Sequence, residues 1–466
     1  MEIPPQIFRE YDIRGVAGED LDPTTVETLG RAVGTYLVER GLLRVAVCRD
    51  CRLSSPELFQ ALSAGLLATG CGVTDIGVLP TPLLYFTVYY KGYDGGVMIT
   101  GSHNPPQYNG FKIMAVRETL YGPEIQELRK IAESGRFREG RGELVSYDIL
   151  PEYLDYVAGN IRLGRKLKVV IDAGNGTAGV VAGPLFRRLG CEVECLYCDM
   201  DGRFPNHHPD PTLPEALRPL IRRVLESGAD VGLGYDGDAD RLGVIDEKGK
   251  IIWGDQLMIV FARSILPSMP GAAVISEVKA SQLLYDEVER LGGRPVMWKT
   301  GHSLIKKKIK EEKAPLAGEM SGHIFFADRW FGFDDGIYAS ARLVEILSKT
   351  DKKLSEELAG LPRTFVTPEI RVYASDEVKF KIVDEVKARL AGRYRIIDID
   401  GVRAVFPHGW GLVRASNTQP VIVLRFEADS EEALAAIQAE VKGLAEEAIR
   451  RLSNEGGSAP GTGKGG

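Results

Sequence analysis

Several common chemistries are excluded by what this chain has little of. Its 6 cysteines are scattered through 466 residues, so no disulfide framework holds the fold together. No apolar run is long enough to span a bilayer, and no membrane partner is expected. Basic residues do not dominate: the net charge is −7, which argues against a nucleic-acid partner. The opening residues, Met1-Glu2-Ile3-Pro4-Pro5, lack the basic start and apolar centre of a signal peptide, and the expected location is the cytoplasm. What remains is the composition of a soluble globular protein, too long for one ordinary core, so several domains are expected.

The pattern along the chain is strand followed by helix, repeated. Val26, Leu29, Val33, Tyr36 and Leu37 recur at helical spacing behind Asp22-Pro23-Thr24, a cap and first turn. Strands are predicted at Leu43 to Val47, Val73 to Leu79, Gly96 to Thr100 and Phe111 to Met114, the last exposing Lys112. Further strands follow at Leu167 to Asp172, Ala229 to Gly234, Ala273 to Val278, Pro295 to Trp298 and Val421 to Phe426. An amphipathic helix from Glu431 to Leu452 precedes a tail with nothing to bury, which is expected to be disordered. Such alternation predicts parallel or mixed sheets covered by helices.

Three local patterns invite chemistry that their context rejects. Cys191, Cys195 and Cys198 have the spacing of a radical-type iron–sulfur site, but Gly190 to Cys198 reads as a strand, which sends Cys195 and Cys198 to opposite faces. The glycines of Ala173 to Gly179 fall short of a dinucleotide fingerprint and read as a tight strand-to-helix turn. His207 and His208 lack a partner at zinc-ligand separation and sit in a proline-rich loop.

Four stretches carry more. In Thr100-Gly101-Ser102-His103-Asn104-Pro105-Pro106 a strand stops and delivers Ser102 into a turn. Gly101 permits the bend, and the prolines cannot continue a ladder. Taken alone, the cluster reads more readily as an ordinary polar turn. Asp236-Gly237-Asp238-Ala239-Asp240-Arg241 sets three carboxylates at alternate positions, which converge only with an offsetting charge, and oxygen ligands of this kind suit Mg²⁺. An EF-hand is excluded, because Arg241 replaces its glycine and a strand follows where a helix should. Gly318-Glu319-Met320-Ser321-Gly322-His323 offers donors and acceptors fit for a polyol. Arg414-Ala415-Ser416-Asn417-Thr418-Gln419-Pro420 offers a guanidinium fork, hydroxyls and an amide matched to a phosphate dianion.

Together, and in this order, these stretches resemble the α-D-phosphohexomutase family and, within it, the bacterial phosphomannomutase/phosphoglucomutase branch. The matching segments are Phe8 to Gly15, Thr100 to Pro106, Phe204 to Pro211, Asp236 to Arg241, Gly318 to His323 and Arg414 to Thr418. The resemblance implies a heart-shaped α/β enzyme of four domains. Three similar α/β domains with mixed sheets would span 1–149, 150–254 and 255–366, a smaller α+β domain 367–455, and the tail 456–466. It implies reversible transfer of a phosphoryl group between C1 and C6 of glucose and mannose phosphates, through a phosphoserine at Ser102 and a hexose 1,6-bisphosphate. Ser102, Asp236, Asp238 and Asp240 would hold Mg²⁺; Glu319 and Ser321 would hold sugar hydroxyls. Arg414, Ser416, Asn417 and Thr418 would hold the phosphate that is not reacting. Lys112, Arg14 and Arg241 are candidates for neutralising charge, and His302, His323 and Lys112 for moving protons. Tyr11, His103, Lys279 and Gly301 complete the expected substrate contacts. Phosphoglucosamine mutase and a serine- and Mg²⁺-dependent sugar phosphatase are the alternatives, and a monomer or weak dimer is expected.

Overall fold

The computed structural model describes residues 3–417 and 419–455 of the chain. The chain divides into two compact units: one runs through Ser276 and includes Leu284–Val296 and Gly301–Ala359, and the other holds Glu277–Leu283, Met297–Thr300 and the chain from Gly360 onward. Among the described residues, no helix is long and apolar enough to cross a membrane.

Two sheets lie within the first unit, and a third lies mostly within it. In the first, Arg44–Arg49 lies between Gly72–Val78 and Gly95–Ile99, parallel to both, and Tyr108–Ala115 runs antiparallel to Gly95–Ile99. Ile13–Val16 pairs with the outer side of Tyr108–Ala115. Gly95–Ile99 is buried along its whole length, as expected of a strand covered on both faces. The helix Pro23–Val38 is capped by Asp22, whose carboxylate accepts from the backbone N–H of Thr24 and Thr25. It packs on Ser55–Ala68 at a close crossing made of glycine: a Cβ on Gly30 would stand 2.3 Å from the Leu62 carbonyl, and one on Gly65 2.2 Å from that of Glu27.

The second sheet has Lys168–Asp172 between Glu192–Leu196 and Val231–Tyr235, parallel to both. Val231–Tyr235 then forms a hairpin with Leu242–Asp246, in which Tyr235 faces Leu242. The third sheet orders Arg294–Trp298, Ala273–Glu277, Leu316–Gly318 and Ile324–Phe326. The fourth, in the second unit, is antiparallel throughout its described pairings, with Gly409–Ala415 between Val402–Phe406 and Val421–Ala428. Lys379–Leu390 and Glu431–Glu455 cover it, and Ile382, Val386, Val413, Leu424, Phe426 and Val441 are buried there. The α/β expectation with mixed sheets and an α+β C-terminal part therefore holds, whereas the expected tail 456–466 and Thr418 lie outside the described residues.

Two local expectations are corrected. The predicted strand over Gly190 to Cys198 is shorter, Glu192–Leu196, because Tyr197 takes a left-handed backbone (φ 50°) and turns the chain. Cys198 therefore lies beyond the strand, where strand alternation no longer sets its direction. Lys112, expected to be exposed, is 4% exposed on the strand Tyr108–Ala115.

Candidate active site

The serine turn begins where the strand Gly95–Ile99 ends, and most of its restraint comes from one loop. Asp50 Oδ2 accepts from the Thr100 hydroxyl at 2.9 Å and the Gly101 N–H at 3.1 Å. Arg52, 1% exposed, donates to the carbonyls of Ser102 (2.8 Å), Asn104 (2.7 Å), Pro105 (2.6 Å) and Tyr108 (3.0 Å). Its guanidinium occupies the space of a Cβ at Gly101, which would lie 2.5 Å from it. Thus Gly101 is required for close approach as well as for bending. Ser102 itself takes φ 50°, a conformation that a non-glycine residue holds only when its surroundings determine it. Nothing local marks Asp50 and Arg52 for this role, since the acceptors of Arg52 lie about fifty residues away in the chain.

The turn delivers Ser102 Oγ to 2.7 Å from Asp236 Oδ2. Asp236, Asp238 and Asp240 project from the hairpin loop after Val231–Tyr235, and all three are fully buried. Gly237 touches the serine turn so closely that a Cβ there would stand 2.5 Å from the Ser102 carbonyl. Ala239 reverses the loop with φ 57°. From behind, Thr177 donates to the Gly237 carbonyl through its N–H (3.0 Å) and its hydroxyl (3.1 Å). Thr81 donates to Asp238 Oδ2 at 2.5 Å.

Three buried carboxylates demand positive charge. Lys112 Nζ lies 2.8 Å from Asp238 Oδ2 and 2.5 Å from Asp240 Oδ2. Burial works against the ammonium, but Asp238 and Asp240 outweigh it and hold Lys112 well above its ordinary value. Burial likewise opposes ionisation of Asp240, yet Lys112 and His323 keep it well below the carboxylate range. Asp236 goes the other way: burial, then Asp238 and Asp240, push it well up. One ammonium does not satisfy the cluster, because Asp238 Oδ1 is buried and receives no hydrogen bond. Oxygen atoms from all three aspartates lie within 4.8 Å of one another. An oxygen-only donor set of this kind fits a hard divalent cation such as Mg²⁺.

Facing this cluster are the histidines. His323 Nε2 is 3.3 Å from Asp240 Oδ1, and its Nδ1 is 2.8 Å from Glu319 Oε2. Against the effect of burial, Asp240 and then Glu319 raise His323 to about 9. His302 is held well below its ordinary value by burial, Lys306 and His323. It sits at the start of the helix His302–Glu312, with its Nδ1 3.6 Å from Asp334 Oδ2, and Lys306 Nζ is 2.9 Å from Asp334 Oδ1. The Tyr11 and His302 rings meet edge to face at 6.2 Å, and Gly301 (φ 133°) leaves room for Tyr11. Glu319 also accepts from the Gly301 N–H at 2.7 Å, and Ser321 Oγ lies 3.0 Å from His323 Nδ1. Around the serine, His103 Nδ1 is 3.1 Å from Ser102 Oγ. Arg14 donates to Asn104 Oδ1 at 2.5 Å and pairs with Asp12 at 2.6 Å. Arg241 Nε is 3.3 Å from His323 Nε2 and 4.0 Å from Asp236 Oδ2. Desolvation, Arg241 and Arg14 hold His103 well below its ordinary value.

In the second unit, Arg414 closes the strand Gly409–Ala415 and its Nε lies 3.1 Å from Asp400 Oδ2. Ser416 Oγ accepts from the Gln419 N–H at 3.1 Å, which bends the chain around Asn417. Lys279 Nζ is 3.1 Å from Glu369 Oε2 and 3.8 Å from Glu277 Oε1.

Four family models for phosphoglucomutase/phosphomannomutase match in chain order: alpha/beta/alpha domain I over residues 5–139, domain II over 151–249, domain III over 253–365 and the C-terminal domain over 369–444. A phosphomannomutase/phosphoglucomutase of Pseudomonas aeruginosa is 50% identical over 437 residues, 94% of each chain. A phosphoglucomutase of Neisseria meningitidis is 47% identical over 449 residues, 95% of this chain and 97% of that one. Among solved structures, a phosphoglucomutase/phosphomannomutase family protein of Burkholderia thailandensis superposes with a TM-score of 0.91 at 46% identity, covering 96% of this chain and 98% of that one.

Proposed function

The chain belongs to the phosphoglucomutase/phosphomannomutase family of α-D-phosphohexomutases, and from that premise we propose that Ser102 carries the phosphoryl group it moves. The enzyme is a phosphomannomutase/phosphoglucomutase, interconverting the 1- and 6-phosphates of mannose and of glucose by intramolecular transfer. The observation that supports Ser102 as the carrier is its Oγ, 2.7 Å from Asp236 and set against a buried carboxylate cluster.

A serine hydroxyl is a weak nucleophile unless a base and a local positive charge assist it. Phosphoryl transfer is governed mainly by alignment and by neutralising charge on the moving oxygens. Asp236, Asp238 and Asp240, with the phosphorylated Ser102, would hold Mg²⁺, which supplies part of that neutralisation when bound. Lys112, Arg14 and Arg241 supply more, from the positions they hold around the acidic loop and the serine turn. His103 steadies the Ser102 oxygen. In the proposed cycle the phosphoryl group passes from Ser102 to the free hydroxyl of a hexose phosphate. The resulting hexose 1,6-bisphosphate reorients and returns its other phosphoryl group to Ser102.

Proton transfer is assigned to His302 and His323, whose surroundings drive them apart: burial and Lys306 favour the first as acceptor, while Asp240 and Glu319 favour the second as donor. Glu319 and Ser321 bind sugar hydroxyls, with the Glu319 carboxylate oriented by the Gly301 N–H and His323. If they grip O3 and O4, the C2 configuration separating glucose from mannose goes largely unread. Arg414, Ser416, Asn417 and Thr418 take the distal phosphate, while Tyr11, Gly301 and Lys279 complete the substrate contacts. The division into 1–149, 150–254, 255–366 and 367–455 is proposed on the same footing, one motif falling in each part.

The test is incubation with glucose 1-phosphate, Mg²⁺ and a trace of glucose 1,6-bisphosphate. Glucose 6-phosphate is the expected product, with mannose 1-phosphate converted in parallel. Release of inorganic phosphate instead would overturn the mutase reading in favour of hydrolysis.

A further inference from the structure

Thr81 has no step in the proposed reaction, yet it is fully buried and bonded to one of the three aspartates. It opens the helix Thr81–Lys91, shortly after the strand Gly72–Val78 ends. Prolines stand on both sides of it, Pro80 and Pro82. Each fixes its own φ, so the chain enters the helix with little freedom. A helix start leaves backbone N–H groups without partners, and the Pro80 side chain caps none of them. Asp238 fills that gap from the acidic loop, 157 residues away in the chain. Its carbonyl accepts from the Thr81 N–H at 2.9 Å, and its Oδ2 accepts from the Thr81 hydroxyl at 2.5 Å. One residue therefore holds both the backbone and the carboxylate of Asp238.

The three aspartates are held in different ways. Asp236 has both oxygens engaged, Oδ2 by the Ser102 hydroxyl at 2.7 Å and Oδ1 by the Arg241 N–H at 3.2 Å. Asp240 meets Lys112 through Oδ2 and His323 through Oδ1. Asp238 is one-sided: Oδ2 takes both Thr81 and Lys112, the latter at 2.8 Å, while the buried Oδ1 has no hydrogen bond. A carboxylate turns easily about its last bond, and an ammonium on a flexible stem is a point charge that suits either oxygen. Lys112 alone would therefore not decide which oxygen of Asp238 stays open. The Thr81 hydroxyl, on a backbone stiffened by two prolines, does decide it. We propose that Thr81 is a positioning residue for the Mg²⁺ site, its hydroxyl turning Asp238 so that Oδ1 is the oxygen presented to the ion. The inference rests on the reading of the three aspartates as metal ligands. Partners that orient a ligating carboxylate in this way contribute strongly to metal affinity without touching the metal.

The experiment titrates the full chain, stripped with a chelator and desalted, with Mn²⁺, reading unbound ion by electron paramagnetic resonance. Competition by Mg²⁺ then gives the affinity for that ion, and the melting temperature is taken in chelator. Thr81→Val keeps the size of the side chain and the backbone N–H but loses the hydroxyl. It is expected to weaken Mn²⁺ and Mg²⁺ binding by roughly 10- to 100-fold, with turnover recovering at saturating Mg²⁺. Thr81→Ala, which sets no extra methyl against the carboxylate, should show the same loss. Thr81→Ser restores the hydroxyl and should bind both ions as the parent does. Parent-like affinity in Thr81→Val and Thr81→Ala overturns the proposal, and so does a serine variant as weak as they are. A lower melting temperature in chelator with unchanged affinity also overturns it, since Thr81 would then only hold the helix to the loop. A parent that binds no Mn²⁺ defeats the metal reading itself, a result distinct from equal binding by parent and variants.

Discussion

At the scale of single residues, Lys112 sets the electrostatic balance of the site. Its ammonium lies against Asp238 and Asp240, where a cation held by the same loop would also act. Removing one partner of a buried ion pair typically costs about 3–5 kcal/mol, because the opposite charge is left unpaired. Lys112→Met is therefore expected to lower the melting temperature sharply in a chelator and to regain part of that loss in millimolar Mg²⁺. An identical loss with and without the ion would show that the aspartates do not bind it. Ser102→Ala should behave differently. It is expected to reduce turnover by roughly 10³-fold or more with little change in thermal midpoint, because the serine side chain is not part of the apolar core. The types and spacing of these residues were legible in the sequence, but their environments were not. Strand alternation alone marks Lys112 as exposed, because it cannot show that the loop after Val231–Tyr235 lies over it. Arg52 carries no local signal, because its value lies in four carbonyls supplied by a distant turn.

Elements carry signals of uneven strength. The helix Pro23–Val38 was readable because its cap and apolar spacing are both local. The end of Glu192–Leu196 was not, because a left-handed Tyr197 has no marker such as glycine and is imposed by what the turn bonds to. The contact of Pro23–Val38 with Ser55–Ala68 is tested by Gly30→Ala, whose methyl would meet the Leu62 carbonyl at 2.3 Å. Overpacking there is expected to cost about 1–3 kcal/mol, seen as a lower urea midpoint with unchanged mutase rate at permissive temperature. A second test concerns charge on the helix Gln282–Arg290. Glu287 pairs with Arg290 and Arg263, each at 2.6 Å, which hold its carboxyl down at about 2 against an ordinary 4.5. A depressed carboxylate contributes stability that is present above pH 4.5 and lost as pH falls toward 2. Because Arg290 is largely exposed, solvent screens the interaction, and Glu287→Gln is expected to cost about 0.2–1 kcal/mol at neutral pH. The difference from the parent should close in acid. A gap that widened on acidification would reverse the assigned sign.

For the whole molecule, the ordered set of motifs was the strongest signal in the sequence, because several short stretches in fixed order are far less accidental than any one alone. Their meeting depended on the fold: the serine turn comes from the first sheet, the acidic loop from the second, and Glu319 with His323 from the third. Arg414 tests the contribution of the second unit. If its loop binds the distal phosphate, Arg414→Ala should raise KM for glucose 1-phosphate by roughly 10-fold or more with a smaller change in kcat. An equal fall in kcat with constant KM would place Arg414 in the chemical step instead. The central claim is a phosphoryl group held by one hydroxyl. It is tested most directly by exposing the enzyme to glucose 1,6-bisphosphate labelled in its phosphates, then chasing with unlabelled glucose 1-phosphate. The account predicts label on Ser102 alone, its transfer to the sugar during the chase, and no labelling of Ser102→Ala. Full turnover with no label on Ser102 at any time would contradict it.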